Sequence, residues 1–327
     1  MSAIFAIARN GFLESIRQPI YIVTILIGIL AMVFNQNLAG FTIGEDDKLL
    51  VDLGLSTLFL TGIVLSAFTA SSVLAREIEN KTVLTVVSKP ISRPALIVGK
   101  FLGVSFAIAV AYYILVAVFL LIVRHKVYIG VGHGESWDGP VLTFGLLGGV
   151  GGLIVAGAVN YLYRRPFPST LAVCLALGMT VAIGVVAFVA RDWFLQHPLT
   201  DYRPQLMLAI VLVFEAILVL TAVAVAASTR VGQVLTLLIC VAVFLTGLVS
   251  EFFLSRSFAA GATTIDRCLS PLYVAVPNLQ FFWTADALTQ GNDISVDYFL
   301  TVTGYAALLI IAVMSLAVIL FQRRDVG

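Results

Sequence analysis

The chain has 327 residues, of which 60% are hydrophobic and 11% charged, and its formal net charge is +1. A mean hydropathy of +1.06 and many windows of roughly 20 nearly uncharged residues match the length that crosses a ~30 Å hydrocarbon layer. The apolar runs lack a consistently polar face, which excludes a soluble fold, and they lack the alternation in segments of about 10 residues that marks an outer-membrane barrel. We therefore predict an all-α integral membrane bundle.

Residues 1–18 predict an amphipathic helix ahead of the first span. Its apolar side chains recur at helical spacing: Ile4, Phe5, Ala8, Phe12 and Ile16. Its polar side chains fall on the opposite face: Arg9, Asn10, Glu14 and Arg17. Phe34-Asn35-Gln36-Asn37 gives no small-residue cleavage site after the apolar core, so we expect the segment to be retained and to lie at the membrane interface.

Eight membrane crossings follow from the apolar runs. They cover about 20–35, 53–75, 96–123, 141–163, 168–190, 205–228, 231–253 and 298–321. An even number places both termini on one side, and the bias of lysine and arginine in the short loops favours the cytoplasm for that side. The remaining basic residues fall outside: Lys48, Arg124, Lys126, Arg191, Arg203, Arg256 and Arg267.

The charged stretch REIENKTVLTVVSKPISR, residues 76–93, interrupts this apolar pattern. A charged turn is followed by a short apolar stripe over residues 83–87, and Pro90 ends any helix there. Ser92 can then cap the next span, with Pro94 tolerated in its first turn. Two interpretations stay open: a short helix that buries its apolar face in a partner, or a solvated connector whose valines rest on the bilayer.

The longer run AREIENKTVLTVVSKPISRPALIVGKFLG resembles the cytoplasmic segment of permease subunits of type-2 ATP-binding-cassette (ABC) exporters. The resemblance implies an acidic turn at Glu77 and Glu79. It implies a coupling helix that contacts an ATPase through Thr82, Val83, Leu84, Val86 and Val87. It also implies a start of span three marked by Ser92, Arg93, Gly99 and Lys100. Residues 1–18 resemble the family's elbow helix, and Ala226 to Val241 resembles its hairpin between the fourth and fifth family spans.

On this basis residues 1–327 form one transmembrane domain. Its parts are the elbow helix 1–18, spans 1–2 (20–75), the cytoplasmic coupling segment 76–93, span 3 (96–123), an inserted outer loop and two-span hairpin (124–204), spans 6–7 (205–254), an outer loop with short helices (255–297), span 8 (298–321) and a cytoplasmic tail (322–327). The insertion departs from the six-span core of the family.

The resemblance implies a transport subunit without catalytic activity of its own. Gly99-Lys100 is followed by Phe101, and Pro94 stands where a phosphate loop needs its first glycine, so we expect no cofactor on this chain. ATP and Mg would be bound by two copies of a separate ABC ATPase. A second permease subunit, either identical or related, would complete the pathway in a prokaryotic cytoplasmic (inner) membrane. Membrane lipids are expected partners and nucleic acid is not.

Polar and small residues inside the spans leave other functions open. Glu215 lies near the middle of a span, where it would line the pathway or couple protons, or would hydrogen-bond a neighbour such as Asn160. The alternative function is thus a secondary transporter that uses Glu215. Glycines spaced four apart between Gly145 and Gly157 predict close helix packing, with a substrate role as the alternative.

Two further features of the sequence bear on possible sites. Residues 255–297 are aromatic and proline-containing, which fits either a cap over the exit path, by resemblance, or an anchor at the outer interface. The three histidines and three cysteines match no metal-ligand or disulfide spacing, so no metal site is predicted.

Overall fold

The computed structural model describes residues 3–40, 45–79, 92–126, 137–258 and 276–322, with backbone only at 73–79 and 253–258. The helices in these ranges are α1 Ala3–Ile16, α2 Pro19–Ala39, α3 Asp46–Glu79, α4 Arg93–His125, α5 Gly139–Tyr163, α6 Phe167–Phe188, α7 Pro204–Ser228, α8 Gln233–Phe258, α9 Ala285–Thr289 and α10 Val296–Gln322. A 3-10 turn covers Gln280–Phe282. Within the described ranges the only β-pairing is an isolated bridge between Val189 and Leu195.

The eight predicted spans coincide, within a few residues, with α2–α8 and α10. Each of these helices is long and apolar enough to cross a membrane. The prediction of an all-α multi-pass membrane bundle is therefore confirmed. We name the two ends of the bundle by their contents: the α1 end holds Ile16 and Gln322, and the opposite end holds His125 and Gly139.

Prolines set where several helices begin. Pro19, Pro94, Pro140, Pro168 and Pro204 each occupy one of the first two positions of a helix. A proline at this place loses no intrahelical hydrogen bond and its fixed φ already suits the helix. The same residues would break a helix interior, so they fix the boundaries between spans.

Helices α4 and α7 form the centre of the bundle. In each, 67% of the most apolar window is buried, against 22% in α5, α8 and α10 at the rim. Polar contacts join the central helices to their neighbours. The Tyr112 hydroxyl donates to the Ile210 carbonyl at 2.7 Å, and the Tyr21 hydroxyl donates to the Ala107 carbonyl at 2.8 Å. Because both hydroxyls are buried among apolar side chains, these bonds fix how α2, α4 and α7 are oriented.

Helices α5 and α6 form a hairpin that depends on glycine. A Cβ on Gly148 would lie 2.7 Å from the Gly178 carbonyl oxygen, and a Cβ on Gly178 would lie 2.5 Å from the Gly148 carbonyl oxygen. The packing role predicted for the glycines is confirmed at Gly148 and Gly152, which face α6. Gly145 and Gly149 instead line an apolar cleft of about 370 Å³ between α2, α4, α5 and α6.

Candidate functional site

The predicted coupling residues fall at the edge of the described chain. Thr82, Val83, Leu84, Val86 and Val87 lie outside the described residues. Glu77 and Glu79 lie in the last turns of α3, where only the backbone is described. The structure describes the two helices on either side of segment 80–91 and the contacts of those helices. We call these helices and contacts the frame around the segment.

Two long neighbouring helices carry this segment. α3 has 34 residues and α4 has 33, and at ~1.5 Å per residue each is ~50 Å long, well beyond a ~30 Å hydrocarbon layer. The apolar run of α3 reaches Ala75 in the sequence, and the helix continues to Glu79. The two helices pack against each other. Segment 80–91 thus joins the ends of two long helices at the α1 end of the bundle.

The start of α4 is fastened to the last span. Ser92 occupies the predicted N-cap position, but its side chain makes no capping hydrogen bond, so the prediction holds for position and not for the bond. The Arg93 guanidinium donates to the Gln322 carbonyl at 2.8 Å. A cation suits this place because the end of a helix carries unsatisfied carbonyls and a partial negative charge. Arg93 therefore links α4 to the end of α10.

Helix α1 lies against the first half of α4, and two glycines make room for it. A Cβ on Gly103 would lie 2.4 Å from the Ala8 carbonyl oxygen. A Cβ on Gly99 would lie 2.8 Å from the Ile7 side chain and 3.1 Å from the Ile4 carbonyl oxygen. Gly99, predicted at the start of span three, is thus part of the surface on which the N-terminal helix rests.

A buried ion pair joins the same two helices. The Lys100 ammonium lies 3.4 Å from the Glu14 carboxylate, and the Lys100 side chain is 1% exposed. Glu14 was predicted on the polar face of α1, and its pairing with Lys100 was not predicted. The buried residues of α1 are Gly11, Ser15 and Ile16, whereas Phe5 from the predicted apolar face is 56% exposed.

Helix α3 is tied into this junction as well, seven residues before its end. The Ser72 hydroxyl donates at 2.6 Å to the Gln18 side-chain oxygen, and both residues are buried. Gln18 lies between α1 and α2. We call the set Glu14, Gln18, Ser72, Arg93 and Lys100 the junction residues. Together they connect α1, α3, α4 and α10 at the end of the bundle where segment 80–91 lies in the sequence between α3 and α4.

The intramembrane carboxylate has a partner that the sequence did not suggest. One Glu215 oxygen in α7 accepts a hydrogen bond of 2.9 Å from the Thr303 hydroxyl in α10. The Asn160 amide instead donates to the Arg165 carbonyl at 2.6 Å, near the end of α5. The suggested Glu215–Asn160 pair is therefore wrong. The second Glu215 oxygen is buried and has no hydrogen-bond partner among the described residues.

At the opposite end of the bundle, charged residues that the sequence had only assigned to outer loops form a cluster. The fully buried Asp138 carboxylate lies 3.2 Å from Arg124 Nε and 3.6 Å from Arg191 Nε. Arg124 also lies 3.3 Å from Asp201 and donates to the Val186 carbonyl. Arg124 lies in the last turn of α4, Asp138 precedes α5 and Arg191 follows α6. The cluster therefore fastens the α5–α6 hairpin to α4.

The described part of the predicted outer loop, residues 276–297, packs on the bundle at this end. It contains the 3-10 turn and the short helix α9. Trp283 stacks on Phe59 of α3 with ring centroids 6.1 Å apart, and the Asn278 backbone N–H donates to the Tyr305 hydroxyl at 2.9 Å. These contacts seat the segment over α3 and α10.

No known protein-family model matches the chain, and no curated protein matches it. The resemblance to type-2 exporters accordingly rests on the residues of the chain itself.

Proposed function

We propose that the chain is the permease subunit of an ABC-type exporter and forms its transmembrane pathway. The observation that carries the proposal is the frame around segment 80–91. This segment joins two long, mutually packed helices, and the junction residues connect these helices to α1, to Gln18 and to α10 at the same end of the bundle. A force applied to the segment would therefore act on several helices at once.

In this proposal, residues Thr82–Val87 dock on an ATPase subunit that binds ATP and Mg. Closure of two ATPase copies pushes the segment, and α3 and α4 tilt as rigid bodies because each is one continuous helix. α1 follows α4 through the Gly103 contact and the Lys100–Glu14 pair. α10 follows through Arg93. A displacement of the segment is thereby transmitted to four helices: α1, α3, α4 and α10.

A second permease subunit, identical or related, would complete the pathway. The rim helices α5, α8 and α10 offer the surface for it, since most of their apolar windows are not buried within this chain. Membrane lipid would cover what the second subunit leaves exposed. The membrane in this proposal is a prokaryotic cytoplasmic membrane with both termini and segment 80–91 on the cytoplasmic side.

The test is affinity purification from the native membrane in a mild detergent, with co-purifying subunits identified by mass spectrometry. We expect a stoichiometric ATPase with the wild-type chain, and its loss in the triple variant Val83→Asp, Leu84→Asp, Val87→Asp. The matched control is Phe194→Asp, Leu195→Asp, Leu199→Asp, which adds the same charges on exposed side chains at the opposite end. An ATPase retained by the first variant, or absent from the wild type, contradicts the proposal.

A secondary transporter is the second candidate, and the Glu215–Thr303 bond is the observation that favours it. A carboxylate between two spans with one unpartnered oxygen is a place where a proton or ion can bind. The two candidates differ in their energy source. Ion-gradient-driven transport by the chain alone in liposomes, abolished in Glu215→Gln, would favour the second. Transport that requires the ATPase and survives Glu215→Gln would favour the first.

A further inference from the structure

A cavity of about 470 Å³ lies at the opposite end of the bundle from α1, between α4, α6 and α7. We call it the cationic cavity because four basic side chains line it: Arg124, Lys126, Arg191 and Arg203. They come from three separate places along the chain. Its volume falls within the ~300–1,000 Å³ that small-molecule sites occupy.

Three of the four basic side chains have carboxylate partners. Arg124 and Arg191 share Asp138, Arg124 also lies near Asp201, and Lys126 lies 4.0 Å from Asp47. Arg203 makes no side-chain hydrogen bond or ion pair with any residue that the structure describes. Among the described residues, Arg203 is therefore the cation of the cavity that is left to bind a ligand. An anionic group is the ligand that this cation favours.

The cavity also has apolar lining. Apolar side chains from three helices line it: Leu120 and Leu121 of α4, Ile183 and Val186 of α6, and Leu206 of α7. α6 and α7 each pack on α4 and make little contact with one another. The cavity is therefore the top of a cleft between two membrane spans. A bare anion would leave this apolar wall uncovered, whereas an acyl chain would cover it.

We propose that the cationic cavity binds an anionic amphiphile, with its acidic headgroup against Arg203 and its acyl chain along the cleft between α6 and α7. The α5–α6 hairpin supplies α6 and Arg191, so the hairpin builds one wall of the site. The proposal stands independently of the transport mechanism, since it concerns only what binds.

The experiment counts lipids bound to the full-length protein by native mass spectrometry during titration with phosphatidylglycerol or phosphatidylcholine. We expect a preference for phosphatidylglycerol. Arg203→Gln should weaken its binding by about fivefold, the factor for one basic side chain near an anionic lipid, and Arg203→Lys should keep most of it. The charge-matched control Arg165→Gln, on an exposed residue at the α1 end of the same hairpin, should bind as the wild type does.

A second pair of variants separates a lipid from a free anion. Ala187→Leu narrows the cleft at a lining residue and should weaken phosphatidylglycerol binding. Ala158→Leu, on the exposed face of α5, should not. Equal binding of the two lipids, or an Arg203→Gln variant that binds like Arg165→Gln, overturns the proposal. Displacement of the lipid by inorganic phosphate with Ala187→Leu unaffected also overturns it, because the site would then take a free anion.

Discussion

The Lys100 ammonium lies 3.4 Å from the Glu14 carboxylate, with the lysine side chain fully enclosed and the glutamate side chain 26% exposed. The two partners therefore differ in what their loss does. Removing the glutamate leaves a buried cation without this counter-charge, whereas removing the lysine leaves a carboxylate that water already reaches.

We expect Glu14→Ala to lower the free energy of unfolding by roughly 1–3 kcal/mol and Lys100→Met to change it by less, because methionine fills the space without needing a partner. The measurement is thermal unfolding of the purified protein in detergent. Glu45→Ala is the control, since Glu45 pairs with Lys48 on an exposed surface where an ion pair contributes little. A larger loss of stability in Lys100→Met than in Glu14→Ala would contradict the expected difference between the two partners.

Gly103→Ala should separate α1 from α4. The new Cβ would meet backbone atoms of Ala8 and Phe12, which cannot rotate away, and overpacking of this kind costs about 1–3 kcal/mol. The readout is protease cleavage within α1 together with thermal unfolding. Gly151→Ala is the control, because nothing lies within 4 Å of its Cβ and alanine favours a helix over glycine. Equal behaviour of the two variants would show that α1 is not held by this contact.

The Glu215–Thr303 bond should show a coupling energy in a double-mutant cycle. With Glu215→Ala, Thr303→Val and the double variant, we expect a coupling of about 0.6 kcal/mol and at most about 1.7 kcal/mol, the range found for polar pairs between membrane helices. The parallel cycle of Glu215→Ala with Asn160→Ala should give none, since the two side chains do not bond. A coupling in the second cycle and not the first would contradict the observed pairing.

Substitution of Asp138 should destabilise the protein more than substitution of the other acidic residues at the end of the bundle away from α1. Asp138→Asn keeps an oxygen to accept from the Val141 N–H but removes the charge that Arg124 and Arg191 share, and should destabilise by up to about 3 kcal/mol. Asp138→Ala also loses the helix cap and should cost about 1 kcal/mol more. Asp293→Asn, on an exposed carboxylate, is the control and should lie within about 0.5 kcal/mol of wild type. Thermal unfolding in detergent measures whether the three variants lose stability in this order.

The membrane spans were predictable because apolar length alone determines whether a helix can cross the bilayer. The partners of polar residues were not, since Glu14 and Lys100 lie 86 positions apart and meet only through packing. The contacts of α1 were not predictable for a related reason. Helical spacing sorts side chains onto faces, but it does not show that Gly11 and Ser15 will be buried together with Ile16 while Phe5 stays exposed.

Charged residues at the ends of the spans show the same limit of prediction from sequence, since their contacts depend on how the helices pack. Counting spans correctly placed Arg124, Asp138 and Arg191 at the same end of the bundle. Their grouping depended on α5 and α6 folding back onto the end of α4, which no local pattern encodes. The cationic cavity could therefore not be predicted from the sequence, although each of its basic residues was assigned to an outer loop.

The close backbone contact between Gly148 and Gly178 bears on which part of the protein unfolds first. α5 gains most of its contacts from α6 and few from the rest of the bundle, so the hairpin holds together mainly through its own two helices. Such a pair forms a cooperative unit that separates before the centre does. Backbone amides of α5 should accordingly exchange hydrogen with solvent faster than those in the middle of α4, and a hairpin held in this way can be gained or lost without repacking the central helices.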